Sequence, residues 1–160
     1  MQFIFCFYCF RPGSTSVDLI EQAKTLVRIL NTPRDRKRWK VVTIWMGHND
    51  VCTHPCNTSY TAFDASPKFY RKRIAKALDL LRDKLPKTFV SFLPVLDITI
   101  TLDMYDKHPF CHIGHNWVCP CLFDGPPFNG FGGKALSRDQ MNHLLSGYKD
   151  QLSALINTGR

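Results

Sequence analysis

The sequence predicts an α/β protein in which helices flank a parallel β-sheet in three layers. Apolar, β-branched runs typical of buried strands alternate with segments whose apolar residues recur at helical spacing. This alternation extends from Met1 to Leu96, and its connections are consistent with right-handed β-α-β units. With 160 residues, of which 44% are hydrophobic and 21% charged, the chain has the composition of one globular domain spanning residues 1–160.

The first predicted element is a buried strand in the apolar and aromatic run Met1–Phe10. A signal peptide would have a basic region before such a run and small residues at a cleavage site after it, and neither is found. The run is also too short to span a bilayer. We therefore expect a strand that ends at the turn Arg11-Pro-Gly13, with no clear signal peptide or transmembrane segment.

An amphipathic helix is predicted from about residue 17 to about residue 30. Thr15 and Asp18 have the spacing of a capping box at its start. Apolar residues recur at helical spacing along it: Leu19, Ile20, Ala23, Leu26, Val27 and Leu30. A basic connection, residues 32–39, then leads to the second strand.

Polar residues follow the second strand directly. The apolar run Lys40–Met46 stops at Gly47, and His48, Asn49 and Asp50 come next. Ligands of open α/β sheets bind at the carboxyl edges of the strands, which predicts a site at this point. The same residue types also form ordinary strand-ending turns, so the four residues alone leave both interpretations open.

The remaining elements follow from the same patterns. Residues 52–66 are polar and irregular, which predicts a surface loop, and residues 97–105 fit either a strand or a short helix. Apolar spacing predicts a helix from Pro67 to the stop at Pro86, a strand over Thr88–Leu96 and a final helix over residues 137–156.

Basic residues cluster at the start and on the outer side of the helix that begins at Pro67: Lys68, Arg71, Lys72, Arg73 and Lys76. Cations at a helix N-terminus oppose the macrodipole, which hints at an external anion, although a solvated face needs no ligand. The formal net charge of +8 is compatible with nucleic acid, a phospholipid surface or counter-ions. No aromatic ladder or nucleic-acid-binding motif accompanies the charge, so nucleic acid is not an expected partner.

The seven cysteines fall into three groups: Cys6 and Cys9, Cys52 and Cys56, and Cys111, Cys119 and Cys121. This grouping favours short disulfide loops in an oxidising compartment, and Cys52 and Cys56 are near enough in sequence to be bridged. The odd count leaves at least one thiol over. A sequon at Asn57 follows Cys56, as expected of an exposed loop in a secreted protein.

Histidines accompany the last cysteine group, and together they contain enough imidazole and thiolate for a zinc site: His108, His112 and His115. The spacing fits no common zinc module. Disulfides are the simpler account, so we expect no metal and no other cofactor.

Several of these segments together resemble the phospholipase B branch of the SGNH (GDSL-type) hydrolases. They are Trp39–Asp50 with the two following cysteines, Leu78–Pro86 and Phe89–Leu96, and the resemblance covers about residues 12–156. It implies a three-layer SGNH, flavodoxin-like fold. It also implies disulfides in the last cysteine group, because the family has one cysteine followed by a C-x-C pair there.

In that family a G-x-N-D motif supplies an oxyanion-hole asparagine, and Gly47, Asn49 and Asp50 match the motif. The resemblance implies that Asn49 is an oxyanion donor and that Gly47 and Asp50 support the turn. A glycine in a Pro-Gly turn before a helix supplies a second donor through its backbone N–H. Gly13 is the position that would inherit this role.

The family's Gly-Asp-Ser nucleophile motif and its C-terminal D-x-x-H motif do not occur in the 160 residues. The resemblance therefore implies a partial domain, incomplete at both ends, that lacks the nucleophile strand and the D-x-x-H segment. Complete relatives cleave acyl esters of phospholipids and lysophospholipids. We expect an inactive fragment of such a hydrolase from a secreted or extracellular, membrane-associated protein. The alternative is a non-catalytic secreted module that binds anionic lipid surfaces through residues 34–40 and 71–76.

Overall fold

The computed structural model describes residues 3–4, 12–59, 64–105, 114–115, 117–123 and 134–158. Within these residues the elements are, in chain order, β1 (Phe3–Ile4), α1 (Leu19–Leu30), β2 (Trp39–Trp45), α2 (His48–Thr53), α3 (Pro67–Lys84), β3 (Thr88–Leu93), α4 (Leu102–Tyr105), α5 (Pro120–Phe123) and α6 (Arg138–Asn157). Two 3₁₀ turns, Asp35–Lys37 and Ile98–Thr101, precede β2 and α4.

The strands form one parallel sheet in the order β1-β2-β3. Phe3 pairs with Trp39, and β2 pairs with β3 along its length, from Lys40 opposite Thr88 to Trp45 opposite Leu93. The helices α1 and α3 connect successive strands, as parallel pairing requires. The predicted α/β class with a parallel sheet is therefore confirmed.

Within the described residues, one face of the sheet packs against the helices, and large side chains on the other are exposed. The inward-facing strand residues Val42, Ile44, Val90 and Phe92 join a core that contains residues of α1, α3 and α6. On the opposite face large apolar side chains are exposed: Trp39, Trp45, Phe89 and Leu93. Parallel sheets are normally covered on both faces, so the described residues form an incomplete α/β domain.

The long helices begin where local chemistry favours them. Ser66 caps α3 by accepting a hydrogen bond from Phe69 N, and Pro67 occupies the first turn, where no backbone donor is needed. Ser137 and Gln140 form a reciprocal capping box at the start of α6. At α1 the Asp18 carboxylate accepts from Thr15 N at 3.0 Å, which is one half of the predicted box.

The predictions for the first strand and for residues 97–105 can be compared with the structure. The strand predicted within Met1–Phe10 is confirmed at Phe3–Ile4, and the rest of that run lies outside the described residues. Of the two alternatives for residues 97–105, the helical one is confirmed, because a 3₁₀ turn leads directly into α4.

The segment after β2 differs from the predicted surface loop. It continues α2, and Cys52, His54 and Cys56 are buried. The expected bridge between Cys52 and Cys56 is wrong: Cys52 pairs with Cys119, and Cys56 pairs with Cys121. Both cysteines lie on one short segment that packs against α5, so each reaches a cysteine distant in sequence. Cys111 lies outside the described residues.

Candidate functional site

Gly47 forms the turn at the carboxyl end of β2. Its φ of 117° lies in the left-handed region, and a Cβ at this position would lie 2.6 Å from Val95 Cγ2 and 3.2 Å from Tyr70 Cε2. The Tyr70 hydroxyl donates to Met46 O at 3.0 Å, which fixes the ring against the turn. A side chain at position 47 would be both strained and obstructed, so this turn requires glycine.

The two predicted donors, Gly13 and Asn49, lie beside one cavity. Gly13 has a φ of 75°, and Asn49 donates through Nδ2 to the backbone carbonyl of Ser14 at 2.8 Å. The cavity has a volume of about 210 Å³ and is lined by Gly13, Ser14, Gln22, Trp45, Met46, Gly47, His48 and Asn49. The fold thus brings together two positions that are 36 residues apart in the sequence.

Asp50 directly follows Asn49 in the chain and is fully buried. Its two carboxylate oxygens accept the Ser16 backbone N–H at 3.1 Å and 2.8 Å, and Oδ1 also accepts from the Ser16 hydroxyl. These bonds connect α2 to the segment that leads into α1. Asp50 therefore ties together the two segments that carry Gly13 and Asn49.

Arg73 completes this network from α3. Its guanidinium donates to the Ser16 hydroxyl at 3.2 Å and to Asp64 Oδ1 at 3.1 Å, and Nη1 lies 4.0 Å from Asp50 Oδ1. The prediction that Arg73 belongs to an outer basic face is wrong. The negative charges that it neutralises are the carboxylates of Asp50 and Asp64, both in this chain.

Burial dominates the electrostatics of the network. It raises the pKa of Asp50, although hydrogen bonds from Ser16 favour the ionised form. Burial also lowers the pKa of His54, whose Nδ1 lies 3.9 Å from Asp50 Oδ1. These shifts are consistent with a neutral His54 imidazole beside an Asp50 carboxylate whose charge is compensated by Arg73.

His48 borders the cavity in a fixed orientation. Its Nε2 accepts the Leu96 backbone N–H at 2.9 Å, which places the imidazole hydrogen on Nδ1, and its ring lies edge-on to Trp45. Burial lowers the pKa of His48. Because Nε2 is already an acceptor, His48 serves to join the loop after β3 to the turn after β2.

The sequon residue Asn57 lies close to the second disulfide. The residue is 9% exposed, and its Oδ1 accepts from Ser59 N at 2.8 Å. The expected exposed loop is therefore wrong for this side chain, while Thr58 and Ser59 are exposed.

Sequence reasoning did not assign four polar residues to the site: Ser14, Ser16, Gln22 and Arg73. Arg73 carried a usable signal, because it lies three residues after Tyr70 and four before Ala77, both on the buried face of α3. Ser14 and Ser16 lie in a turn rich in small polar residues, where the sequence gives no sign of burial. Gln22 lies one residue before the buried Ala23 on an amphipathic helix, and nothing in the pattern marks it.

No helix in the described ranges is both long and apolar enough to cross a bilayer. Similarly, no group of three or more histidine, cysteine or acidic side chains in those ranges is placed to hold a metal ion.

Comparison with known proteins identifies a family model and relatives that match this chain. Residues 8–160 match the family model described as GDSL-like Lipase/Acylhydrolase. The membrane-associated phospholipase B1 of Mus musculus is 29% identical over 154 residues, or 92% of this chain, and that of Rattus norvegicus is 27% identical over 153 residues, also 92%. The Homo sapiens protein of the same name is 31% identical over 115 residues, 69% of the chain.

The chain spans 10% of the length of the two rodent relatives and 8% of the human one. No solved structure matches it.

Proposed function

Because the chain belongs to the family of GDSL-like lipases and acylhydrolases, we infer that it carries the oxyanion-binding half of an ester-hydrolase site. The observation that carries this inference is the Asn49–Ser14 hydrogen bond at 2.8 Å, which places the Asn49 amide beside Gly13 at one cavity. In ester hydrolysis, donors of this kind stabilise the negative charge that develops on the carbonyl oxygen.

The Asn49 side-chain amide has a second N–H for this role. A side-chain amide carries two N–H hydrogens, and the Ser14 carbonyl accepts one of them. The other is available to a ligand in the cavity. Together with the Gly13 backbone N–H, it would supply two preorganised donors, each contributing about 3 kcal/mol of transition-state stabilisation when well placed.

The proposed substrate is an acyl ester of a phospholipid or lysophospholipid. The phospholipase B1 relatives support this class by their name, and exposed apolar side chains near the cavity support a lipid substrate. Trp45 lines the cavity, and its strand partner Leu93 is also exposed. An acyl chain leaving the cavity would therefore meet apolar surface.

The serine nucleophile and the histidine base are proposed to lie outside these 160 residues, because Gly-Asp-Ser and D-x-x-H are absent from the sequence. The isolated chain is then inactive. We place the native protein in a secreted or extracellular, membrane-associated setting; the two disulfides support an oxidising compartment. Glycosylation at Asn57 remains a prediction.

A direct experiment incubates the purified 160-residue chain with a lysophospholipid and with a serine-directed fluorophosphonate. We expect neither hydrolysis nor labelling. The same probe should label a larger native product, above 18.4 kDa, captured from its source with an antibody to α3. Specific labelling of a serine in the isolated chain would refute the absence of the nucleophile.

The second candidate function is binding of an anionic lipid surface without catalysis. Exposed cations lie in the segments that lead into β2 and β3, at Arg34, Arg36, Lys37 and Lys87, while Arg73 is excluded from such a surface by its internal partners. Sedimentation with anionic vesicles that falls with salt would support this function, and equal binding to neutral vesicles would refute it.

A further inference from the structure

Two polar groups beside the cavity have no hydrogen-bond partner within the described residues. The Ser14 hydroxyl and the Gln22 Nε2 are both buried, and Ser14 as a whole is only 8% exposed. Both residues line the cavity that Asn49 borders. A buried polar group without a partner costs free energy comparable to a lost hydrogen bond, so a pair of them on one cavity indicates a ligand that supplies acceptors.

The chemistry of the lining defines that ligand. The Gln22 N–H groups and the second Asn49 hydrogen can only donate, and the Ser14 hydroxyl can donate as well, so a ligand that accepts from all three presents at least two acceptor oxygens. The His48 Nε2, which could have served as an acceptor for a ligand donor, is already occupied by Leu96 N–H. A carboxylate has two oxygens with about four acceptor positions and satisfies such a set.

The rest of the cavity indicates an apolar tail on this ligand. Trp45 and Met46 line it, and Trp45 is 58% exposed. Leu93 pairs with Trp45 across the sheet, and Leu96 is held beside it through His48; both leucines are exposed. A volume of about 210 Å³ is below the roughly 300–1,000 Å³ of pockets for whole small molecules. The cavity therefore holds a head group and its first carbons, while a longer chain continues over the leucines.

We propose that this cavity binds the carboxylate of a fatty acid, with Ser14 Oγ and Gln22 Nε2 as ligand donors beside the Asn49 amide. This assignment rests on the proposed function, because a fatty acid is the acid product of acyl-ester hydrolysis. It adds two residues to the site. It also predicts that the isolated chain binds the product although it performs no turnover.

The test uses the full 160-residue chain and decanoate below its micelle-forming concentration. Binding is followed through the ¹⁵N side-chain resonances of Asn49 and Gln22. We expect saturable shifts of both with decanoate, and much weaker ones with 1-decanol, which has the same chain without the carboxylate. Inorganic phosphate should produce no saturable shift.

Variants then assign the donors. Ser14→Ala and Gln22→Leu should each weaken decanoate binding about tenfold or more, as expected for loss of a hydrogen bond to a charged group. For Gln22→Leu the readout is the Asn49 resonance alone. Decanol binding should be unchanged by Ser14→Ala. Matched controls on α6, Ser153→Ala and Gln151→Leu, should leave decanoate binding unaltered, and circular dichroism confirms that each variant is folded.

Three outcomes would overturn the proposal: no saturable shift with decanoate, equal binding of decanoate and decanol, or saturation by phosphate in place of decanoate. The first would mean that water satisfies the buried groups. Failure here is distinguishable from failure of the proposed function. Decanoate binding is an equilibrium property of this chain, whereas hydrolysis is measured on the larger native product.

Discussion

Both carboxylate oxygens of Asp50 accept the backbone N–H of Ser16, at 3.1 Å and 2.8 Å, across 34 residues of sequence. Gly13 lies three residues before Ser16, and Asn49 lies directly before Asp50. This one contact therefore fixes the relative position of the two proposed oxyanion donors. Arg73 stabilises it from α3 by bonding to the Ser16 hydroxyl.

Replacement of Asp50 by alanine should lower the free energy of unfolding by about 3 kcal/mol or more, because the buried N–H and hydroxyl of Ser16 lose their acceptor and Arg73 loses a neighbouring negative charge. Urea denaturation at pH 7 measures the change. Asp83→Ala on the exposed end of α3 is the control and should cost less than about 1 kcal/mol. Equal effects of the two substitutions would show that the buried network contributes little.

Asp50 should also make stability depend on pH in a definite direction. Its pKa is raised above the ordinary value of 3.8, mainly by burial. The stabilisation associated with its protonated form is present below that ordinary value and is lost as pH rises through the folded-state pKa. Unfolding free energies of Asp50→Asn and the parent chain, measured from pH 3 to pH 7, should therefore diverge in favour of the variant. A constant difference would contradict the assigned shift.

The two glycines of the site provide a matched pair. Gly47→Ala should cost about 3 kcal/mol or more, since a positive φ is combined with a Cβ 2.6 Å from Val95. Gly13→Ala should cost only about 1–2 kcal/mol, because its φ is positive but no atom lies within 4 Å of the added Cβ. Chemical denaturation of both variants checks the order, and a larger loss at Gly13 would contradict it.

Each disulfide closes a long loop, with sequence separations of 67 and 65 residues. Replacement of both Cys52 and Cys119 by alanine should lower the unfolding free energy by about 4 kcal/mol, as for loops of this length. Peptide mapping without reduction should recover Cys52 with Cys119 and Cys56 with Cys121. A peptide bridging Cys52 to Cys56 would contradict the pairing.

The His48–Leu96 hydrogen bond should be sensitive to acid. Leu96 N–H can donate to Nε2 only while that nitrogen carries no proton. Burial lowers the pKa of His48 below 6.5, so the stability it contributes is present above 6.5 and is lost as pH falls through the lower folded value. The Leu96 amide resonance should titrate with a midpoint below pH 6.5 and should stop titrating in His48→Gln. A midpoint above 6.5 would refute this assignment.

Much of the fold was predictable because the helices and strands carry clear periodicity. Leu19, Ala23, Leu26 and Leu30 mark the buried face of α1 at helical spacing, and all four are buried as expected. A site at Gly47 and Asn49 was predicted because a polar turn directly follows an apolar strand. The G-x-N-D resemblance then added a role for each.

The contacts that organise the site were less predictable, since they join residues distant in sequence. Nothing near Cys52 indicates that its partner is Cys119 rather than Cys56, because the choice is set by how α2 packs against α5. Arg73 looked like a solvent-facing cation, and its carboxylate partners come from a different segment of the fold. Burial of Ser14 likewise depends on its contact with the β2–α2 turn. The sequence around Ser14 gives no sign of that contact.

The most direct test of the central claim is the turnover of lysophospholipid by the native protein with and without the substitution Asn49→Ala. If Asn49 is an oxyanion donor, kcat should fall about a hundredfold or more. Fluorophosphonate labelling would show that the nucleophile is present, and the urea midpoint should change little. Unchanged turnover, or loss of folding in parallel with activity, would contradict the account and leave Asn49 as a residue that forms the turn.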